Sequence, residues 1–300
     1  MTEPSLLSPP EILSLSSTGA DELLARLERT VPRHAPVVDL ADTGASEAVV
    51  FGDSHGDWPT VLEVVRRYRA TEAAALVGLG DYVDRTPADC PNGSVANALF
   101  LLQLSALETP RVVLIRGNHE TVLEYPVLPH SLPREVEALW GPDPVRYQRV
   151  VGLLNRGPLV ATSPSGAYLA HGGFPRAPRP KRWTEAVNAD RWRLGEIVWA
   201  DCAASHNRRG VAPAFKEEEL LGFLAEAGLS MMIRGHDPDL TRRPVYAGRC
   251  LTLHTTRYYE RYGGVLLARL PIAGRVSTTA DLRIEDVRPR VDAVERSATA

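Results

Sequence analysis

The chain has 300 residues, 44% of them hydrophobic and 24% charged, which excludes a disordered or fibrous protein and leaves room for one large domain or two ordinary ones. A formal net charge of −3 offers no overall basic field for holding nucleic acid by counterion release, so no nucleic-acid partner is expected and any phosphate recognition must be local. Cys90, Cys202 and Cys250 lack CxxC spacing, which argues against a disulfide framework or a thiolate zinc site and points to a reducing, cytoplasmic setting.

Residues 1–46 have no basic n-region, carry Glu3 and Glu11 and are broken early by prolines, so they are read as a loose leader. No run of about 18 apolar residues follows that would span a bilayer, and no membrane partner is expected. From Ala48 the chain settles into apolar runs that each end in glycine and a polar cluster. Val49 to Phe51, Ala75 to Leu79 and Val112 to Ile115 read as strands. DWPTVLEVVRRYRA and SVANALFLLQLSALE between them read as helices, the first with Val61, Leu62, Val64, Val65 and Tyr68 on one side. This alternation predicts an α/β protein with a sheet buried on both faces. Residues 124–155 are punctuated by prolines and read as a helical insertion. GAYLAHGG and MMIRGH repeat the strand-to-glycine pattern, and the β-formers around Gly263-Gly264 predict strands of a second sheet. A frayed tail is expected over 281–300, which leaves 47–280 as the main domain.

Five strand ends carry acidic, amide or imidazole groups: Gly52-Asp53-Ser54-His55-Gly56, Gly80-Asp81-Tyr82-Val83-Asp84-Arg85, Gly117-Asn118-His119-Glu120, His171-Gly172-Gly173 and Gly235-His236. The carboxyl ends of strands in an open α/β sheet face one crevice, so these clusters are expected to converge. Oxygen and nitrogen donors without sulfur suit two divalent ions of the Mn, Fe or Zn class, with one carboxylate bridging the pair.

These five blocks resemble the phosphoprotein phosphatase branch of the calcineurin-like metallophosphoesterases, the serine/threonine protein phosphatases, whose pattern runs GDxHG, GDxxDRG, GNHE, HGG and a late R-G/A-H. The likeness covers roughly Val49 to Tyr259. It implies a four-layered α/β/β/α sandwich in which Asp53 and His55 hold the first metal, Asp81 bridges, and Asn118, His171 and His236 hold the second. Mn²⁺ is the first choice, with Fe or Zn as alternatives. A hydroxide formed between the ions would attack phosphorus in line. His119 would serve as general acid, oriented by Asp84. Arg85 and Arg209, with Asn118 and Tyr259, would contact the phosphate. The implied substrate is a phosphorylated protein or a small phosphate ester. A dinucleoside-polyphosphate hydrolase and a silent phosphate-binding scaffold are the alternatives.

The chain also departs from the pattern. Thr86-Pro87 replaces the glycine after Asp84-Arg85, which leaves substrate choice open, and Gly235-His236-Asp237-Pro238 stands where the wider superfamily has GHxH. Outside the blocks, His34, His130 and His206 are taken as structural, whereas His254 is a candidate for lining the site. Arg116 is expected either to touch phosphate or to pair with a nearby carboxylate behind the ligands, Glu120 to support the ligands from behind, Asp201 to brace the site, and Asp57 to cap the helix after it. Residues 176–193 hold six basic side chains against two acidic ones, a solvated loop or a rim attractive to acidic substrates.

Overall fold

The computed structural model describes residues 6–180, 182–206 and 209–289. Two five-stranded sheets pack face to face. In the first, β2 (Glu47–Phe51), β3 (Ala74–Gly78) and β4 (Val112–Leu114) run parallel, and β9 (Leu266–Pro271) and β10 (Arg283–Asp286) add antiparallel strands beside β2. The second sheet has a parallel core of β6 (Ala167–Ala170), β7 (Met231–Arg234) and β8 (Cys250–Thr252). It is extended past β6 by β5 (Val160–Thr162), antiparallel to β6, and by β1 (Val37–Asp39), parallel to β5.

The two-residue period of each strand assigns its side chains to layers. Ala48, Val50, Ala75 and Val77 point between the sheets and meet Leu169, Met231, Ile233 and Leu251. Val49, Phe51 and Leu76 point outward into a helical layer, and Tyr168, Ala170 and Met232 point outward on the other side. That second outer face is covered by α7 (Arg191–Trp199) and α8 (Glu217–Ala227). The architecture is therefore α/β/β/α, as the sequence predicts.

The first helical layer contains α3 (Trp58–Arg69) and α4 (Gly93–Leu107). In α3, Val61, Val64, Val65 and Tyr68 form a buried stripe at helical spacing, while Leu62 is only half-buried. Helix α4 is buried on all sides from Gly93 to Ser105, because α1 (Pro9–Leu13), α2 (Ser17–Thr30), α5 (Leu132–Trp140) and α6 (Pro144–Leu154) pack over it. Two expectations are corrected here. Residues 1–46 are not a loose leader from α1 onward: Ile12, Leu23, Leu24 and Leu27 enter the core beside α4, and β1 completes a sheet. Nor is 124–155 a separate insertion, since Val136, Trp140, Val150 and Leu154 share that core with α2. Some of the prolines mark helix starts: Pro9, Pro59, Pro133 and Pro144 lie in first turns.

Two further corrections concern the C-terminal part. The strands either side of Gly263-Gly264 do not both join the second sheet: β8 lies there, as expected, but β9 lies in the first. The frayed tail expected from 281 contains β10, whose charges are absorbed by pairing: Glu285 accepts from Arg269 Nε at 2.6 Å and from Arg67 at 3.0 Å. Such a charged strand suits the edge of a sheet. Residues 290–300 of that expectation lie outside the described residues.

Candidate active site

The carboxyl ends of β2, β3 and β4 meet those of β6, β7 and β8 along one rim, and the predicted blocks occupy the turns there. Strand β2 delivers Asp53 and His55, β3 delivers Asp81, Asp84 and Arg85, and β4 delivers Asn118 and His119. Strands β6 and β7 deliver His171 and His236. All six expected metal donors are buried. His55, Asp81, Asp84 and Arg85 have positive φ (42°, 54°, 63° and 49°), as does His236 (72°). Left-handed backbone costs a non-glycine residue about 1–2 kcal/mol, so tertiary contacts must enforce these turns. Glu120 does part of this, accepting the N–H groups of Asp81 (2.7 Å), Tyr82 (2.8 Å) and Gly117 (2.8 Å). Burial and the charge of Asp81 push its carboxyl up to about 7.

The rims are stitched across the interface. His236 N–H donates to Asp53 Oδ1 at 3.0 Å, Thr255 N–H to Asp53 O at 2.9 Å, and Asp53 and His254 form a parallel bridge. A Cβ on Gly52 would strike the Leu253 carbonyl, and one on Gly235 would strike Asp53 Oδ1. Glycine at these two positions is what lets the sheets approach.

The donors form two groups that share Asp81. His171 Nε2 lies 3.4 Å from Asp81 Oδ1, 2.8 Å from Asn118 Oδ1 and 3.1 Å from His236 Nδ1. His236 Nδ1 is 2.9 Å from Asn118 Oδ1. On the other side, His55 Nε2 lies 3.7 Å from Asp81 Oδ2 and 3.9 Å from Asp53 Oδ2. His55, Asp81 and His119 form one potential cation-binding triad and Asp81, His171 and His236 another, the ligand atoms in each within 4.8 Å of one another.

The tautomers fit that use. His55 Nδ1 is bonded to the Val83 carbonyl (2.8 Å) and His171 Nδ1 to the Leu79 carbonyl (2.9 Å), so each places its Nε2 lone pair toward the centre. His55 Nε2 is buried without a hydrogen-bond partner, the condition of an atom prepared for a cation. Burial lowers His55 to about 4 against the attraction of Asp81, leaving its ring neutral at pH 7. Asp53, although buried, is held down to about 2 by His254 and His171. Carboxylates and imidazoles around an orphaned buried nitrogen suit a divalent metal.

Around this centre, His119 Nδ1 meets Asp84 Oδ2 at 2.5 Å, and its Nε2 stands 3.8 Å from Asp81 Oδ2. Burial disfavours its charged form, but Asp81 and Asp84 outweigh that and raise its pKa. Arg85 Nη1 donates to Tyr259 Oη at 2.8 Å. Arg209 is paired with Asp201 and donates to the His236 carbonyl at 2.9 Å, so Asp201 braces the site by holding an arginine beside it. Arg208 lies outside the described residues.

Some outcomes differ from expectation. Asp57 sits at the N-cap position of α3, yet its carboxylate accepts from Thr60 Oγ1 (2.8 Å) and from Arg257 N (2.7 Å) and caps no helical N–H. Arg116 donates to Asn155 at 2.9 Å rather than to a carboxylate. In the basic segment, Arg176, Arg179 and Arg193 pair with Glu219, Glu226 and Glu196, so these three are neutralised by α7 and α8 rather than offered to substrate. His254 does line the site: its Nε2 is 3.1 Å from Asp53 Oδ2, and its Nδ1 is 2.9 Å from Thr241 Oγ1. A weaker signal was available, since Leu251 to Leu253 is a short β-prone stretch ending in a polar cluster, without the glycine of the other strand ends. His130, taken as structural, bonds Asp84 Oδ2 at 2.8 Å across 46 residues, and no local pattern announces it.

A two-sheet α/β/β/α sandwich with paired donor groups at its shared rim is the architecture of the metallophosphoesterases. The profile of the calcineurin-like phosphoesterases matches residues 48–240, and the chain belongs to that family. It is 27% identical over 289 residues to a probable serine/threonine-protein phosphatase of Encephalitozoon cuniculi, covering 91% of this chain and 61% of the relative. It is also 27% identical over 269 residues to a PP2A-like serine/threonine-protein phosphatase of Candida albicans, covering 85% of this chain and 60% of the relative. The chain thus spans about three fifths of the length of these curated relatives. The fold is shared with a Saccharomyces cerevisiae protein serine/threonine phosphatase that has similarity to human PP5, at a TM-score of 0.71 and 19% identity over 92% of this chain and 91% of that one. Among the described residues, no helix is long and apolar enough to cross a membrane.

Proposed function

We propose that this chain is a binuclear metal-dependent phosphomonoesterase whose substrates are phosphoserine and phosphothreonine in proteins. The observation that carries this is the shared carboxylate Asp81, 3.4 Å from His171 on one side and 3.7 Å from His55 on the other, with the His119–Asp84 pair beside it. Asp53, His55 and Asp81 would hold one ion, and Asp81, Asn118, His171 and His236 the other, Mn²⁺ first and Fe or Zn as alternatives. When bound, the ions supply acidification of water and neutralisation of phosphoryl charge.

The chain's own groups supply the rest. Arg85 and Arg209 offer forked donors to the phosphoryl oxygens, and Asn118 adds an amide. Tyr259 steers Arg85 through their hydrogen bond. Asp84 holds His119 in the tautomer that carries Nδ1–H, so protonated His119 can release its Nε2 proton to the leaving oxygen. Three buried free thiols, Cys90, Cys202 and Cys250, support a reducing, cytoplasmic setting.

The test is to offer Mn²⁺-loaded protein a phosphoserine peptide, a phosphothreonine peptide, nitrophenyl phosphate and a dinucleoside tetraphosphate side by side. Chelator-sensitive release of phosphate from the peptides is expected. Cleavage confined to the tetraphosphate would replace this reading with a polyphosphate hydrolase, and phosphate binding without turnover on any substrate would replace it with a scaffold.

A further inference from the structure

The buried carboxylate of Asp84 carries more than the one histidine that the proposed mechanism requires. Its Oδ2 is shared by His119 Nδ1 at 2.5 Å and His130 Nδ1 at 2.8 Å. Its Oδ1 accepts the N–H groups of Ser131 (2.6 Å) and Leu132 (3.1 Å) and lies 3.2 Å from Ser131 Oγ. Asp84 is at positive φ in a turn whose own N–H is bonded to Ser94 Oγ at 2.9 Å. Ser94 in turn donates to Glu135, which also receives Ser131 Oγ. A short segment, His130 to Leu132, therefore grips the carboxylate on both oxygens. The far nitrogen of His130 reaches Tyr147 Oη on α6 at 2.9 Å.

We propose that His130 is a positioning residue for the general acid, holding Asp84 in register with His119 and anchoring that pair to the outer helical layer through Tyr147. Both imidazoles face one carboxylate oxygen, so each presents Nδ1–H to it. The Nε2 of His130 is then left to accept the Tyr147 hydroxyl, and the Nε2 of His119 faces the reaction centre. Without His130, Oδ2 keeps one protein donor, and the carboxylate is free to rotate about the bond that fixes the angle of the His119 ring. A misaimed acid costs most when the leaving oxygen is basic. This inference rests on the acid role given to His119 above.

The test compares His130→Ala, His130→Asn and Tyr147→Phe with His119→Ala in the full chain, on a phosphoserine peptide and on nitrophenyl phosphate. Loss of an outer hydrogen-bond partner is worth about 10–100-fold. His130→Ala should lower kcat on the peptide by about 10-fold or more with KM unchanged, and scarcely alter the nitrophenyl ester. His130→Asn, whose amide N–H can stand near the position of Nδ1–H, should restore most of the loss, and Tyr147→Phe should show the same split at smaller size. In metal-free protein, the far-downfield proton resonance of His119 Nδ1–H should shift or vanish in His130→Ala and return in His130→Asn. Equal losses on both substrates, no loss, or an unmoved resonance would overturn the inference. If His119→Ala shows the leaving-group split and the His130 and Tyr147 variants do not, this inference alone fails. If His119→Ala shows no split, the acid assignment beneath it fails. Should His130→Ala not fold, Tyr147→Phe and His130→Asn decide: a split in the first and near-normal turnover in the second support the inference, and their absence overturns it.

Discussion

The two strand-end rims that meet at the site are built differently. The rim of β2, β3 and β4 contributes the carboxylates Asp53, Asp81 and Asp84, and four of its residues stand in left-handed backbone. The rim of β6, β7 and β8 brings imidazoles to the centre, His171, His236 and His254, with only His236 among them at positive φ. The first rim therefore sets charge and strain, and the second closes the site with donors that lean on the first. His171 is oriented by a carbonyl of the β3 turn, and His236 N–H by Asp53. Loss of the shared carboxylate on the first rim should spread across both donor groups, whereas damage on the second should stay local.

Asp81→Asn is the largest expected effect, because both donor groups use that side chain. Isothermal titration with Mn²⁺ should show both sites weakened by more than about 10²-fold. Two tightly bound ions with full activity would break the comparison. Next is His119→Ala, with kcat on phosphopeptide down by about 10²–10⁴-fold, a smaller loss on nitrophenyl phosphate, and metal stoichiometry retained in the same titration. His254→Phe should be milder and confined to one ion: affinity on the Asp53 side falls by about 10-fold, the other ion is held as before, and a loss of both would erase the contrast between the rims.

The smallest effect lies behind the first rim. Glu63 on α3 is held down to about 2, from an ordinary 4.5, by hydrogen bonds from Arg66 and then Arg67, with burial opposing. A depressed carboxylate contributes stability that is present above its unfolded pKa and lost as pH falls through the folded one. Glu63→Gln should therefore lower the melting temperature at pH 7, with the deficit shrinking between about pH 4.5 and pH 2. A deficit that does not change over that range would remove the ion pairs as its cause.

The sequence made much of this arrangement legible, since five blocks of glycine and ligand-type residues each follow a short apolar run. Side chains fixed by their own strand end, such as Asp53, His55 and His171, could be placed by local pattern. His254 also ends a short β-prone stretch, but with no glycine beside it and no matching block. His130 reaches Asp84 only because α5 and α6 pack on α4, a contact that no local period encodes. Helix α1 was hidden by prolines that start helices as readily as they break them, while in α2, capped by Ser16, Leu23, Leu24 and Leu27 show the helical stripe once the start is known. The basic segment left a solvated loop and a rim both open because its partners, Glu219 and Glu226, lie some 40 residues on.

The central claim is that two cations share Asp81 across the junction of the sheets. The most direct measurement strips the protein with chelator, restores Mn²⁺ in steps, and follows bound metal by elemental analysis together with phosphopeptide hydrolysis. Activity that rises only as occupancy approaches two ions per chain is the result expected. Saturation at one ion or none, or full activity in stripped protein, would contradict it.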